Sequence, residues 1–398
     1  MPVVYRLGLF YAAFFVGSGA SLPFMPVWFR AQGLSGTQMT IILAMPMFAR
    51  TVAGPALALW ADGFKLRRTP MIWMGLGATL AFAGMGVWHG FWWWLATWFV
   101  GYTMLGTLSP LTDVITLRRA RIDGFAYGLP RGIGSAGYVF GNVVMGLVLL
   151  RAPPVSVLIW TVTAAALAAV GARVLAPADP VREDGPPLSP RELWAGLGGL
   201  LRDPVFVLAV MSIGLIQASH GYYYSASTLL WRRQGIADGW IGVLWGFGVG
   251  AEVVFLWFME PWRRRLGPQR LLIVGGLGAL VRWVLLAFSP PLWMLFGIQA
   301  LHALSYCATF LASLRLVEQL SPPSSATAAQ TLNSSVSGGV MIGLTTVLSG
   351  PLLDTAGAGG YWVMSAITAV GLVGAWRLTR LMPRGPQIAS LAAASSSR

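Results

Sequence analysis

The sequence has little charge for its length. Only 10% of its 398 residues are Asp, Glu, Lys or Arg, whereas 56% are hydrophobic. Soluble globular proteins carry about 25% charged residues, and the mean hydropathy of this chain is +0.68. The shortage of charge excludes an ordinary soluble protein and predicts an all-α integral membrane protein with many spans.

Cysteine, histidine and acidic residues are also scarce. Cys307 is the single cysteine and there are three histidines, which excludes a disulfide framework and disfavours a metal site. Thirteen acidic residues against 27 basic ones give a net charge of +14. Such a charge suggests nucleic acid for a soluble protein, but here we expect the basic residues to lie in loops on one side of a membrane. We therefore expect a monomer in the lipid bilayer, with neither a nucleic-acid partner nor a cofactor.

Twelve apolar stretches are long enough to span a bilayer, since a span needs about 20 mostly apolar residues. They are 4–29, 37–61, 70–88, 91–117, 128–150, 155–175, 204–230, 238–259, 271–288, 291–315, 327–350 and 360–381. A polar, proline-rich stretch divides them six and six. The predicted units are an N-terminal six-helix bundle at 1–176, a cytoplasmic linker at 177–203, a C-terminal six-helix bundle at 204–382 and a disordered tail at 383–398.

The positions of the basic residues predict the orientation in the membrane. If the N-terminus is inside, twenty lysines and arginines fall in cytoplasmic segments and four in outer segments, while three lie within spans. The sequence therefore predicts that both termini are cytoplasmic.

Six side chains that can carry charge lie within stretches otherwise suited to lipid: Arg50, Asp113, Arg131, Glu252, Arg282 and His302. A charge at bilayer depth costs several kcal/mol and needs a partner or a wet cavity. We interpret these residues as candidates for an ion or solute pathway.

The two halves of the chain repeat one feature. A short basic turn, 61–68, follows the second predicted span, and another, 264–270, follows the eighth. Duplication of this kind is typical of transporters whose site lies between two halves. The turn with Asp62, Arg67 and Arg68 resembles the signature loop of the major facilitator superfamily. The resemblance implies two pseudo-symmetric six-helix bundles and a role for these three residues in gating the cytoplasmic side.

A closer resemblance begins at residue 110. The motif 110–113, followed by Arg131 at 18 residues after Asp113, is similar to the lactose permease and phenylpropionate permease groups. The stretch 127–138 is similar to the fifth-helix motif of the lactose permease. The resemblance implies that Asp113 and Arg131 hold the substrate and that Tyr138 stacks against it.

The resemblance continues in the second half. Glu252, Arg282 and His302 align with the carboxylate, arginine and histidine of the proton-coupling cluster in the lactose permease. Ser305 falls where that permease has the glutamate that carries the proton. If protons are coupled here, Glu252 or Asp113 must carry them.

Structural explanations also remain open in the first half. Asp113 could pair with Arg118 or Arg119 near the cytoplasmic end of its span. Arg131 could be an interfacial residue that extends toward the lipid headgroups. An arginine nevertheless suits a substrate site, because its planar fork can hold a carboxylate or hydroxyls through two hydrogen bonds.

Structural explanations remain open elsewhere too. Glu252 could be a permanently protonated structural residue, since burial disfavours the ionised carboxyl. His302 could be a satisfied core histidine. Arg50 has no evident partner and is either a cavity-lining charge or part of a structural pair.

The sequence favours a secondary transporter over an enzyme. It has no nucleotide-binding loop and no metal-ligand motif, so an ion gradient, with protons favoured, would drive uptake of a small organic solute. Arg50, Arg131 and Arg282 outnumber Asp113 and Glu252, and this excess favours an aromatic or other organic acid. A sugar or nucleoside symporter, a drug or metabolite exporter of the same superfamily and, remotely, a polytopic membrane enzyme or sensor are alternatives. The predicted location is the cell membrane, as in the inner membrane of bacteria.

Overall fold

The computed structural model describes residues 1–49, 51, 53–180, 198–322 and 325–382. Arg50, most of the linker and the tail predicted to be disordered lie outside the described residues. Apart from one antiparallel bridge between Leu66 and Pro180, the regular structure of the described residues is helical. Helices suit a chain in lipid because they satisfy their backbone hydrogen bonds internally.

Helices follow one another with short connections in the N-terminal half, residues 1–180. They are α1 (Val3–Ala31), α2 (Gly36–Ala49), α3 (Ala53–Asp62), α4 (Arg68–Gly84), α5 (Phe91–Asp123), α6 (Gly128–Leu149) and α7 (Val155–Val174).

The C-terminal half, residues 198–382, is more often interrupted. Its helices are α8 (Pro204–Ala218), α9 (His220–Arg233), α10 (Asp238–Phe258), α11 (Glu260–Ala287), α12 (Leu292–Ala300), α13 (Thr309–Leu320), α14 (Ala326–Asn333), α15 (Ile342–Thr355) and α16 (Gly360–Leu381). Two π-helical segments, Ala303–Ala308 and Ser334–Met341, join α12 to α13 and α14 to α15. Such segments widen a helix locally and are frequent at functional sites.

Within the described residues, nine helical stretches are long and apolar enough to cross a membrane. They are Val3–Ala31, Gly128–Leu149, Val155–Val174, Pro204–Arg233, Asp238–Phe258, Glu260–Ala287, Leu292–Leu320, Ala328–Thr355 and Gly357–Leu381. The other three predicted spans correspond to α2 with α3, to the 17-residue α4, and to the 33-residue α5. The count of twelve spans therefore stays a prediction.

One predicted turn is largely helical. The basic stretch 264–270 lies inside α11, whereas the sequence predicted that this span begins at residue 271. The helix is kinked at Gly267, whose φ of 72° and ψ of 167° are not helical. A positive φ is accessible to glycine at little cost because it has no Cβ, so the chain bends there without a loop.

Close helix packing in the N-terminal half depends on glycine. Helix α1 packs against α6 and α7, and α4 packs against α5 and α7. A Cβ on Gly19 of α1 would lie 2.1 Å from the Tyr138 carbonyl oxygen, and one on Gly141 of α6 would lie 2.3 Å from the Val16 carbonyl oxygen. Small residues let backbones approach in this way in membranes, and they fix the position of α6, which carries Arg131.

The two halves meet mainly along three helix pairs: α2 with α15, α6 with α10, and α1 with α9. Glycine allows the closest approach here too. A Cβ on Gly242 would lie 2.4 Å from the Asn142 carbonyl oxygen, and one on Gly350 would lie 2.6 Å from the Gly36 carbonyl oxygen. Bulkier residues at these positions would push the halves apart.

Candidate functional site

Asp113 and Arg131 lie next to each other between α5 and α6. Nη1 of Arg131 is 3.9 Å from Oδ1 of Asp113, and the two side chains keep 37% and 30% of their exposure. This distance exceeds the usual range of a hydrogen bond, so the two charges attract each other without a direct bond. The structure thus brings together the pair that the sequence singled out.

Two tyrosines hold the Asp113 carboxylate. The hydroxyls of Tyr11, on α1, and Tyr127, just before α6, both donate hydrogen bonds to Oδ1 of Asp113. The Tyr127 bond is 2.8 Å long. Because two neutral hydroxyls already donate to this carboxylate oxygen, it does not need a hydrogen bond from Arg131.

The Arg131 guanidinium lies on aromatic rings. Its central carbon is 4.6 Å from the ring centre of Phe15 and 5.3 Å from that of Tyr11. Its Nη1 donates to Oγ of Ser109 at 3.1 Å. Cation–π contacts of this kind hold a cation while leaving its N–H groups available. The guanidinium is therefore oriented but not saturated by acceptors that the structure describes.

Arg118 and Arg119, the alternative partners of Asp113, contact Asp179 instead. Nη1 of Arg118 is 2.9 Å from Oδ2 of Asp179, and Nε of Arg119 donates to Oδ2 at 2.9 Å. The Asp179 side chain is 1% exposed. The predicted linker thus begins with a buried carboxylate that joins it to α5.

The predicted gating loop also contacts the start of the linker. Asp62 ends α3 and Arg68 begins α4. The Arg67 backbone N–H donates to the Asp179 carbonyl oxygen at 2.9 Å, and its Nε donates to the Pro180 carbonyl oxygen at 3.2 Å. The structure places the loop beside the linker, and its role in gating stays a prediction.

Glu252, His302 and Arg282 form one buried cluster in the C-terminal half. Nε2 of His302 is 2.9 Å from Oε1 of Glu252, and Nδ1 of His302 is 2.8 Å from Nη1 of Arg282. The resemblance to the lactose permease placed Glu252, Arg282 and His302 in one cluster. In the structure His302 lies between the other two, because it can contact a different partner with each ring nitrogen.

Arg282 is fully buried and has several partners. Its Nη2 donates to Oε1 of Gln299 at 2.7 Å, and its guanidinium lies 4.0 Å from the Tyr223 ring centre. The amide nitrogen of Gln299 donates in turn to the Tyr223 hydroxyl at 2.8 Å. A buried guanidinium is costly unless it is paired and hydrogen-bonded, and this network provides those partners.

The hydrogen bonds identify the His302 tautomer. A guanidinium can only donate, so Nδ1 of His302 accepts from Arg282. The ring proton is then on Nε2 and is donated to Glu252. The arrangement fits a neutral imidazole between an ionised carboxylate and a guanidinium.

Tyr138 lies on α6, seven residues after Arg131, so the two side chains project from the same face of the helix. The contact of Tyr138 with the substrate stays a prediction.

Sequence reasoning missed several residues of the site. Ser109 and Tyr127 precede Asp113 and Arg131 by four residues each, and this helical spacing could have identified them. Tyr11 reaches Asp113 only through tertiary packing, and Gln299, three residues before His302, contacts Arg282 from a different helix. His220, whose Nε2 is 3.1 Å from Oγ of Ser305, was not singled out either.

Arg50, the possible cavity charge, lies outside the described residues. Within the part of the chain that the structure describes, no three histidine, cysteine or acidic side chains are grouped so that they could hold a metal ion. The residues that could hold a small molecule are those of the two clusters.

The fold is that of a multi-pass membrane transporter. It matches a crystal structure of a mutant form of the nucleoside transporter NupG with a TM-score of 0.85 and 13% identity, covering 95% of this chain and 100% of that chain. At that identity the match shows the fold alone.

Residues 4–364 match the model of the MFS_1 like family, and the chain belongs to this family. It is 26% identical over 364 residues to a probable 3-phenylpropionic acid transporter of Escherichia coli (strain K12), covering 91% of this chain and 94% of that protein. It is also 26% identical over 375 residues to the maltose permease of Geobacillus stearothermophilus, covering 92% of each. The resemblance to the major facilitator superfamily and to these permease groups is confirmed.

Proposed function

We propose that this protein is a proton-coupled secondary transporter that takes up a small organic acid by alternating access. Bundles at 1–176 and 204–382, joined by a cytoplasmic linker, move about a site between them. Twelve spans leave both termini in the cytoplasm, and the protein acts as a monomer in the cell membrane, which is the inner membrane in bacteria.

The observation that carries the proposal is the state of Arg131. Its guanidinium is held on the Phe15 ring and is more than a third exposed, while the carboxylate of Asp113 is satisfied by tyrosine hydroxyls. An arginine fork binds a carboxylate through two parallel hydrogen bonds. A substrate carboxylate fits this position, and the relative described as a 3-phenylpropionic acid transporter supports that class.

Aromatic side chains near the second cluster suit a ring on the substrate. The ring centres of Tyr223 and Tyr224 on α9 lie 5.7 and 6.5 Å from that of His302. Offset aromatic rings attract each other beyond their hydrophobic burial. An acid with its carboxylate on Arg131 and its ring among these tyrosines would contact both halves.

Glu252 is the proposed proton carrier. Its side chain is 17% exposed, and its partner His302 stays neutral while it accepts from Arg282. Protonation of Glu252 raises the charge of the cluster by one unit, because the positive charge of Arg282 remains. At low dielectric such a change acts over several ångströms, so a bound proton favours an anionic substrate and its release disfavours one.

The contacts between the halves support alternating access. In the predicted topology the pairs α2–α15 and α6–α10 meet at their outer ends, where Arg30 contacts Asp354 across the interface. Asp113 and Arg131, by contrast, are partly accessible. We interpret the arrangement as a state closed toward the outside.

Two other substrate classes are kept because relatives suggest them. The maltose permease is as similar in sequence as the phenylpropionic acid transporter, and the NupG structure has the same fold. Asp113 with Arg131 could also hold hydroxyl groups. Export of a drug or metabolite would use the same machinery in the opposite direction.

An uptake screen tests the proposal. Purified protein in proteoliposomes is offered labelled 3-phenylpropionate, maltose and uridine, with and without an imposed proton gradient and with a pH dye inside. We expect 3-phenylpropionate to accumulate only with the gradient and to carry protons inward. If only maltose or uridine accumulates, the substrate is not an organic acid. If uptake is the same with and without the gradient, transport is not coupled to protons.

A further inference from the structure

His220 is a buried titratable residue that the proposed mechanism does not use. It begins α9, and its side chain is fully buried among rings of the C-terminal half. The ring centres of Trp283, His302 and Tyr306 lie 4.9, 5.8 and 6.0 Å from its own. An imidazole in such surroundings needs a hydrogen-bond partner for each nitrogen.

Both nitrogens of His220 have partners. Nδ1 is 3.1 Å from the Gln217 carbonyl oxygen, and Nε2 is 3.1 Å from Oγ of Ser305. The carbonyl lies at the junction of α8 and α9, where the helix is interrupted. Since a carbonyl can only accept, Nδ1 carries the proton, and Nε2 accepts from the Ser305 hydroxyl.

Ser305 connects His220 to the charged cluster. Its Oγ lies 3.4 Å from Nη1 of Arg282, the same nitrogen that contacts His302. The hydroxyl thus accepts from Arg282 and donates to His220. Its other acceptor, the His302 carbonyl oxygen, is 3.5 Å away, so His220 is the nearer of the two. The hydrogen bonds run in one direction from Arg282 through Ser305 to His220.

We propose that His220 is a positioning residue of the Glu252–His302–Arg282 cluster and acts through Ser305, an inference that rests on the proposed function. As a neutral acceptor it orients the Ser305 hydroxyl, which then holds the Arg282 guanidinium against His302. Nε of Arg282 has no partner among the described residues, so the orientation of the guanidinium depends on its two terminal nitrogens. Without His220 the Ser305 hydroxyl turns away and Arg282 loses one of its contacts.

The first test is the tautomers of the two histidines, which does not require transport. The chain has three histidines, so nitrogen NMR of histidine-labelled native protein gives three pairs of ring-nitrogen signals. The variants His89→Gln and His220→Gln assign them by removal. We expect His220 to carry its proton on Nδ1 and His302 to carry its proton on Nε2 at pH 7. The same tautomer in both, or a charged His220, would overturn the proposal.

The second test is transport. His220→Phe should lower proton-driven accumulation about tenfold, the effect of losing one hydrogen bond to a charged network, while exchange without a gradient persists. His220→Gln should restore accumulation to within about twofold, because its amide oxygen can accept from Ser305. His89→Phe, an exposed control, should change nothing. If His220→Gln is as defective as His220→Phe, His220 acts by titrating and not as a neutral acceptor. If His220→Phe is fully active, His220 has no role. Either result overturns the proposal.

A double variant separates this inference from the proposed function. If His220 acts through Ser305, His220→Phe should cause no further loss in a Ser305→Ala background. Additive losses would contradict the connection. If the native protein accumulates nothing with a gradient, the proposed function fails, and the tautomer measurement alone decides on His220.

Discussion

The Asp354 carboxylate joins the two halves of the molecule through two contacts. It accepts from the Arg30 guanidinium at the end of α1, and its Oδ2 accepts from the Gly36 backbone N–H, 2.8 Å away, at the start of α2. An anion is disfavoured at the carboxyl end of its own helix and favoured at the amino end of another. Asp354 near the end of α15 is therefore stabilised by the other half.

Asp354→Asn should shift the molecule toward the state that is open to the outside. A partly exposed ion pair contributes up to about 1 kcal/mol, while the asparagine oxygen can still accept from the Gly36 N–H, so we expect up to about a fivefold change in the ratio of the two states. Spin labels at Arg151 and Gln234, in a Cys307→Ala background, report the separation of the halves.

Glu260→Gln is the control for this variant. It removes an exposed ion pair with Arg264 that lies within one helix and does not join the halves. The population with the longer distance between the spin labels should increase in Asp354→Asn and stay unchanged in Glu260→Gln. An unchanged distance distribution in Asp354→Asn would show that these contacts do not hold the halves together.

Arg131→Lys should weaken substrate binding although it keeps the charge. Lysine lacks the planar fork, and a lost charge-assisted hydrogen bond costs about 1.5–3 kcal/mol. We expect the apparent KM for the organic acid to rise roughly tenfold to a hundredfold. Arg151→Lys, in the exposed α6–α7 connection, is the matched control. An unaltered KM in Arg131→Lys would remove Arg131 from the site.

Tyr127→Phe should lower the affinity for an anionic substrate without removing any charge. The Tyr127 hydroxyl is one of two that donate to Oδ1 of Asp113, and its loss leaves the carboxylate more able to accept from the Arg131 fork. We expect a several-fold rise in the apparent KM for an acid, measured by uptake at low substrate concentration. If Tyr127→Phe binds the acid more tightly, Asp113 and Arg131 do not compete in this way.

Asp179→Asn should destabilise the fold. The Asp179 side chain is 1% exposed and contacts two arginines, and breaking a buried ion pair costs about 3–5 kcal/mol. Because both arginines are partly exposed, we expect the lower end of that range and a clear fall in Tm in detergent. Asp123→Asn, which loses an exposed contact of 3.8 Å with Arg119, should change Tm little. Equal Tm values for the two variants would contradict this role of Asp179.

The sequence predicts the class of the protein because lipid imposes a simple composition on its spans. The grouping of Asp113 with Arg131 and of Glu252 with Arg282 and His302 follows from the resemblance to the permease groups. The hydroxyls that complete the sites could not, since Tyr11 reaches Asp113 only through the packing of α1 against α5 and α6. The kink at Gly267 was missed because a basic stretch in a helix and one in a loop have the same composition.

The central claim is that Glu252 carries the coupled proton. We would measure proton and solute fluxes together in proteoliposomes containing native protein, Glu252→Gln, or Glu318→Gln, whose glutamate is exposed on α13. Glu252→Gln should lose solute accumulation and its proton flux while exchange at equal concentrations continues, and Glu318→Gln should behave as native. Accumulation with undiminished proton flux in Glu252→Gln would show that Glu252 does not carry the proton.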